Sequence, residues 1–158
     1  MPFSLFKYIK HDYSIKAIQK KEITFVSPNL WTDPFEYSLY NSSYNIYCMC
    51  ASVSRSKNEE SFWLRVDPSF NGNHVMWSIN FLKLLEALKN AASKCGIKFY
   101  IAPIDYYATK RDIQRLVKTT PKSLDNQISR LCIKRVAFAH ECEIRIFAVV
   151  EDLSLIHI

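Results

Sequence analysis

The amino-acid sequence predicts an α+β domain with a mixed or mostly antiparallel sheet and flanking helices. Three observations predict it. Strand-like and helix-like segments alternate irregularly, without the repeating unit of a parallel α/β fold. From Asn80 to Gly96 the apolar period is helical, with Phe81, Leu84, Leu85, Leu88 and Ala92 on one face and Lys83, Glu86 and Lys89 on the other. From Glu141 to Val150 the period is 2: Cys142, Ile144, Ile146, Ala148 and Val150 fall on one side, Glu141, Glu143, Arg145, Phe147 and Val149 on the other.

The remaining elements follow in chain order. Phe3 to Ile9 is a short aromatic and aliphatic run that reads as a strand, with Lys7 between Phe6 and Tyr8. Asp12 caps an expected short helix with Ile15 and Ile18 on one side and Lys20 and Lys21 at its C-terminal dipole. Ile23 to Val26 reads as a second strand, stopped by Ser27-Pro28. Leu30 to Glu36 is a rigid corner, because Pro34 holds Asp33 extended while Trp31 and Phe35 supply bulk.

Tyr44 to Ser52 is the next strand, with Cys48 and Cys50 on one face; a lone Cys-x-Cys pair is a poor zinc signal and reads as two small buried hydrophobes. A polar connection over Ser54 to Glu60 leads to an ordered piece, Ser61-Phe-Trp63, then a turn at Pro68 to Asn73 and a strand over His74 to Ile79. Gly96 stands where a left-handed helix cap is wanted. Ile97 to Tyr107 reads as one strand that tolerates Pro103 near an edge. Thr109 and Asp112 form a capping box for a helix to about Thr119, and Ser123 caps another carrying Leu124, Ile128, Leu131 and Cys132.

The chain of 158 residues suits one domain, expected over residues 1–152. The last six residues, Leu153 to Ile158, match what a sequencing adapter would encode; they are excluded from the fold, and the natural chain is expected to continue past Asp152. Only two glycines occur, so neither a dinucleotide fingerprint nor a Walker loop can be written. Five cysteines and no apolar run after Met1 fit reduced thiols and a cytoplasmic setting, and no segment has the length of a membrane span. The net charge of +6 is concentrated between Lys110 and Arg135, where Lys110, Arg111, Arg115, Lys118, Lys122, Arg130, Lys134 and Arg135 face only Asp112 and Asp125. Such a stretch would attract a nucleotide, a nucleic acid or an acidic protein, or simply form solvated helix faces.

Three ionised groups at one end of an otherwise apolar strand must meet water, a partner or a cleft. Glu141, Glu143 and Arg145 are therefore the first candidates for chemistry, the alternative being a solvated Arg145 paired with a glutamate two residues away.

Leu5-Phe-Lys-Tyr8, Ser27 to Glu36, Cys48 to Ser52, Ser61-Phe-Trp63 and His140-Glu-Cys-Glu-Ile-Arg145 together resemble an uncharacterised, mainly bacterial family, domain of unknown function twenty-nine seventy-one. Ile9 stands where that family usually has arginine, Thr32 where it has asparagine and His140 where it has tyrosine. The order of parts also resembles ADP-ribosyltransferases. That resemblance implies NAD as substrate, Lys7 or Tyr8 as a first-strand contact, a cleft wall from Trp31 to Glu36, and a late-strand glutamate. Glu143 would then stabilise the oxocarbenium-like ribose, Glu141 would orient or deprotonate the acceptor, and Arg145 or Lys7 would take a phosphate charge. Tyr8, Trp31, Phe35 or Trp63 would stack on a ring, and Asp33 and Glu36 would line the same cavity. The functions implied are an NAD-using transferase or glycohydrolase acting as a toxin or phage-defence effector. A nucleic-acid-binding or nucleic-acid-modifying module and a non-catalytic interaction domain are the alternatives.

Overall fold

A computed structural model of the chain describes residues 3–41, 43–53 and 74–151. The expected connection from Ser54, the Ser61-Phe-Trp63 piece with its candidate Trp63, the turn to Asn73 and the Leu153 to Ile158 tail lie outside the described residues.

The α+β architecture is a mostly antiparallel five-stranded sheet with flanking helices. In chain order the strands are β1 (Ser4–Lys10), β2 (Ile46–Ser52), β3 (His74–Asn80), β4 (Lys98–Pro103), β5 (Asp105–Ala108), β6 (Ile133–Arg135) and β7 (Glu143–Val149). Among the described residues the helices are α1 (His11–Lys20), α2 (Pro34–Tyr37), α3 (Phe81–Cys95), α4 (Lys110–Val117) and α5 (Leu124–Leu131), with short 3-10 turns at Pro28–Leu30 and Val136–Glu141. The main sheet runs β3-β1-β2-β7-β4, and β5 with β6 forms a small parallel pair beside it. Among the described residues the last strand, β7, is thus an inner one. It pairs from Ile46↔Val149 to Ser52↔Glu143 on one side and from Lys98↔Val149 to Pro103↔Ile144 on the other.

The two faces of β7 divide as the alternation predicts. Ile146 joins Leu5, Met49 and Ala51 under Leu84 and Leu88 of α3, while Phe147 and Val149 join Ile46 and Cys48 in the larger core beneath α4, α5 and β5. Helix α3 begins at Asn80, whose Oδ1 accepts from the Lys83 N–H at 3.0 Å, and ends at Gly96 with φ of 65°, the left-handed conformation glycine adopts without strain. Thr109 and Asp112 close the expected capping box, and Ser123 caps α5.

Four local expectations are corrected. Ile23 to Val26 is not a strand, since only Val26 bridges to Cys48. The run from Ile97 breaks at Ile104, because Asp105 leaves β7 and donates its N–H to the Cys132 carbonyl, starting the second sheet. Asp12 is not the cap of α1: the helix starts at His11, with Asp12 in its first turn. Ile15 and Ile18 face solvent, 43% and 64% exposed, whereas Ser14 and Ala17 are buried, because the Ser14 hydroxyl accepts from the Trp77 indole N–H at 2.7 Å.

Among the described residues no helix is long and apolar enough to cross a membrane. Replacing Asn80 with Ala removes the side-chain acceptor that starts α3, and is expected to lower unfolding free energy by about 1 kcal/mol in urea titrations without altering the far-ultraviolet spectrum.

Candidate active site

The charged end of β7 closes over a cluster of six ionisable side chains from five places in the chain. Arg145 is 1% exposed. Its cross-strand neighbours, Cys50 and Ala102, are small and leave room for the guanidinium. Each nitrogen is used: Nε donates to Glu143 Oε1 at 2.7 Å, one terminal nitrogen to the Leu131 carbonyl at 2.5 Å, and the other to Glu36 Oε2. Trp31 lies across the guanidinium, 4.3 Å from ring centroid to carbon. The expected pairing with a glutamate two residues away is present, in Glu143, but the expectation that Arg145 is solvated is corrected; the group is enclosed and satisfied by the chain itself.

Lys134 is the second cation. Its ammonium lies 2.6 Å from Glu141 Oε2, 2.9 Å from Glu143 Oε2 and 3.3 Å from Glu36 Oε1, so three carboxylates share one lysine. Burial alone would lower its pKa, yet the three carboxylates raise it well above the usual value. Tyr106 completes the cluster by accepting the Glu143 backbone N–H at 2.7 Å, and burial lifts its phenol to about 12.

Glu141 and Glu143 do not lie on one straight strand. Glu141 ends the 3-10 turn, and Cys142 between them takes φ of 44°, a left-handed conformation that is strained for a residue with a side chain. Ser52 Oγ donates to the Glu141 carbonyl at 2.8 Å and Val53 N–H to that of Cys142, and these bonds hold the turn against the end of β2. The kink brings both carboxylates to the same ammonium.

Their protonation differs sharply. Burial pushes Glu141 up to about 7, against the pull of Lys134. Burial acts the same way on Glu143, but the Arg145 guanidinium and Lys134 outweigh it and hold the carboxyl at about 2. Lys134 touches both, so the difference comes chiefly from Arg145, which bonds Glu143 and not Glu141.

Asp33 and Phe35 stand beside the cluster. Asp33 caps α2 by accepting the Phe35 N–H at 2.9 Å, and its other oxygen accepts from Arg135 at 2.6 Å. Arg135 lies over both Phe35 and Phe138, each 4.8 Å from the ring centroid. The proline corner therefore delivers Trp31, Asp33, Phe35 and Glu36 to one side of the sheet, together with Glu143 and Arg145.

The first strand is divided. β1 touches β2 only at Phe6↔Ser52, and alternation from that pair puts Tyr8 on the face of Glu143 and Lys7 on the opposite one. Lys7 is opposite Trp77 in β3, and its ammonium donates to the Cys50 carbonyl at 2.9 Å where β1 and β2 separate. Lys7 does not join Asp33, Glu36, Glu143 and Arg145. Cys48 is buried, its sulfur 3.9 Å from that of Cys50.

Lys134 and Tyr106 have central places that the sequence pattern did not assign. The signal present was a lysine directly after the apolar run Leu131-Cys-Ile133 and a tyrosine that shares the period-2 face of the buried Ile104 and Ala108. Comparison with known proteins finds no matching family model, curated protein or solved structure, so the site is read from its own geometry.

Two outcomes follow from this geometry. Lys134→Met leaves three carboxylates crowded without their ammonium and is expected to cost about 3 to 5 kcal/mol, measured by urea unfolding near neutral pH. For pH, a raised Glu141 contributes stability that is complete below its unfolded value near 4.5 and is lost as pH rises through about 7; the depressed Glu143 contributes stability present above 4.5 and lost as pH falls toward 2. Unfolding free energy should fall between pH 5 and 8 in the native chain, and Glu141→Gln should flatten that decline while leaving the acid-side loss in place.

Proposed function

We propose that the chain cleaves the nicotinamide–ribose bond of NAD, passing the ADP-ribosyl group to water or to an acceptor. The observation that carries this reading is a pair of carboxyl groups on one ammonium, one at about 7 and the other at about 2. Departure of nicotinamide leaves positive charge on the ribose, which a permanently ionised Glu143 stabilises through the transition state. Glu141, titrating near neutrality, takes the proton of the incoming hydroxyl or water. Two carboxyls driven to opposite protonation states are what glycosidic cleavage uses.

Glu141 is the one member of the carboxylate trio that is not fully buried, so the ribose meets the cluster from its side. Trp31, Phe35 and Tyr8 are among the aromatic groups on the same side of the sheet, and could meet a ring of the dinucleotide. The excess of exposed cations on and after α4 favours approach of an anionic nucleotide. The resemblance of the order of parts to ADP-ribosyltransferases supports the same reading, and with it a role as a toxin or phage-defence effector.

A non-catalytic interaction domain is the second reading, favoured by the complete pairing of Arg145 within the chain. Release of nicotinamide from NAD separates the two. Turnover should fall at least 100-fold in Glu143→Gln with the fold retained by circular dichroism, and Glu141→Gln should remove the limb of the pH–rate profile near 7. Absence of nicotinamide release by the folded chain, or release unaffected by Glu143→Gln, overturns the enzymatic reading.

A further inference from the structure

The basic stretch from Lys110 to Arg135 is sorted by the fold into two groups. Three of its eight cations point inward. Arg130 donates to the Leu116 and Thr119 carbonyls at 2.5 and 2.6 Å, closing the C-terminal end of α4; Lys134 belongs to the carboxylate cluster; and Arg135 pairs with Asp33. The other five, Lys110, Arg111, Arg115, Lys118 and Lys122, are exposed, and among the described residues none makes an ion pair at salt-bridge distance.

Arg111, Arg115 and Lys118 follow at spacings of four and three, which places them in one row on the surface of α4 and the turn that ends it. The opposite side of the helix carries Ile113 and Leu116, both packed into the main core. At 1.5 Å rise per residue the row is about 10 Å long. Of the two acids in the stretch, Asp112 is held in the capping box by Thr109, which leaves Asp125 as the one acid not engaged there.

We propose that this row binds the phosphate backbone of a nucleic acid without reading its sequence. Over about 10 Å of axis a duplex presents about six charges, enough to engage every cation of the row at once. Arginine and lysine on a helix surface meet phosphate oxygens and carry no pattern that distinguishes base pairs. An anionic membrane is a poorer occupant, because a helix lying in a bilayer interface needs a free apolar face, and here that face is committed to the core.

The test is fluorescence anisotropy with a labelled 20-base-pair duplex and the matching single strand, from 50 to 250 mM salt. The expected result is binding that weakens linearly on a log–log plot and is indifferent to base sequence. The triple variant R111E/R115E/K118E should lose at least 10-fold in affinity at 100 mM salt and reduce the duplex salt slope by about 2 to 3, near 0.9 for each phosphate no longer neutralised. Circular dichroism confirms the fold of the variant, whose changes lie on the exposed side of α4. Glu143→Gln should bind as the native chain does, so a failed NAD assay leaves this proposal standing. Affinity unchanged in the triple variant, binding insensitive to salt, no binding to either strand form, or retention only on vesicles containing phosphatidylserine overturns it.

Discussion

Arg145 is the group on which this structure turns. A guanidinium inside a sheet has lost its water and requires replacement partners in several directions. The chain supplies them from β7 itself through Glu143, from the proline corner through Glu36 and Trp31, and from the end of α5 through the Leu131 carbonyl. Those three elements are held together because each satisfies part of one cation. Lys134 then ties β6 to the same carboxylates from the far side, and Glu141 with it.

Such a cluster is a modest source of stability in itself, because the cost of desolvation offsets much of the attraction between charges. Its effect is on geometry. A hydrophobic contact tolerates sliding, whereas a guanidinium between two carboxylates and a carbonyl accepts one arrangement. This fixes α2, a helix of four residues, against the sheet. It also accounts for the strain accepted at Cys142, since the left-handed turn there is what lets Glu141 and Glu143 converge on Lys134.

The sequence disclosed this arrangement unevenly. The two faces of β7 were legible because strand alternation is local, and the limits of α3 were legible because Asn80 and Gly96 have local backbone reasons to stand there. The proline corner was legible for the same cause, with Asp33, Pro34 and Glu36 each constrained by near neighbours. The partners were not. Lys134 and Glu143 meet across a turn whose left-handed residue is a cysteine rather than the glycine or asparagine that would announce one, and Glu36 meets Arg145 across 109 positions. The face taken by Lys7 depends on where β1 leaves β2, which no pattern within β1 records. The break at Ile104 depends likewise on a parallel pairing with β6, a strand of three residues too short to show a period.

The placement of β7 inside the sheet, between two strands that precede it in the chain, bears on how the molecule comes into being. β7 lies between β2 and β4, so during synthesis those two strands wait without their shared neighbour until it leaves the ribosome. Until then Glu36 remains hydrated, and the edges of β2 and β4 stay open to other chains. Closure of the sheet and burial of the charges become one late, cooperative event built on contacts distant along the chain, a route that is slow by nature and gives nascent-chain chaperones a period in which to act.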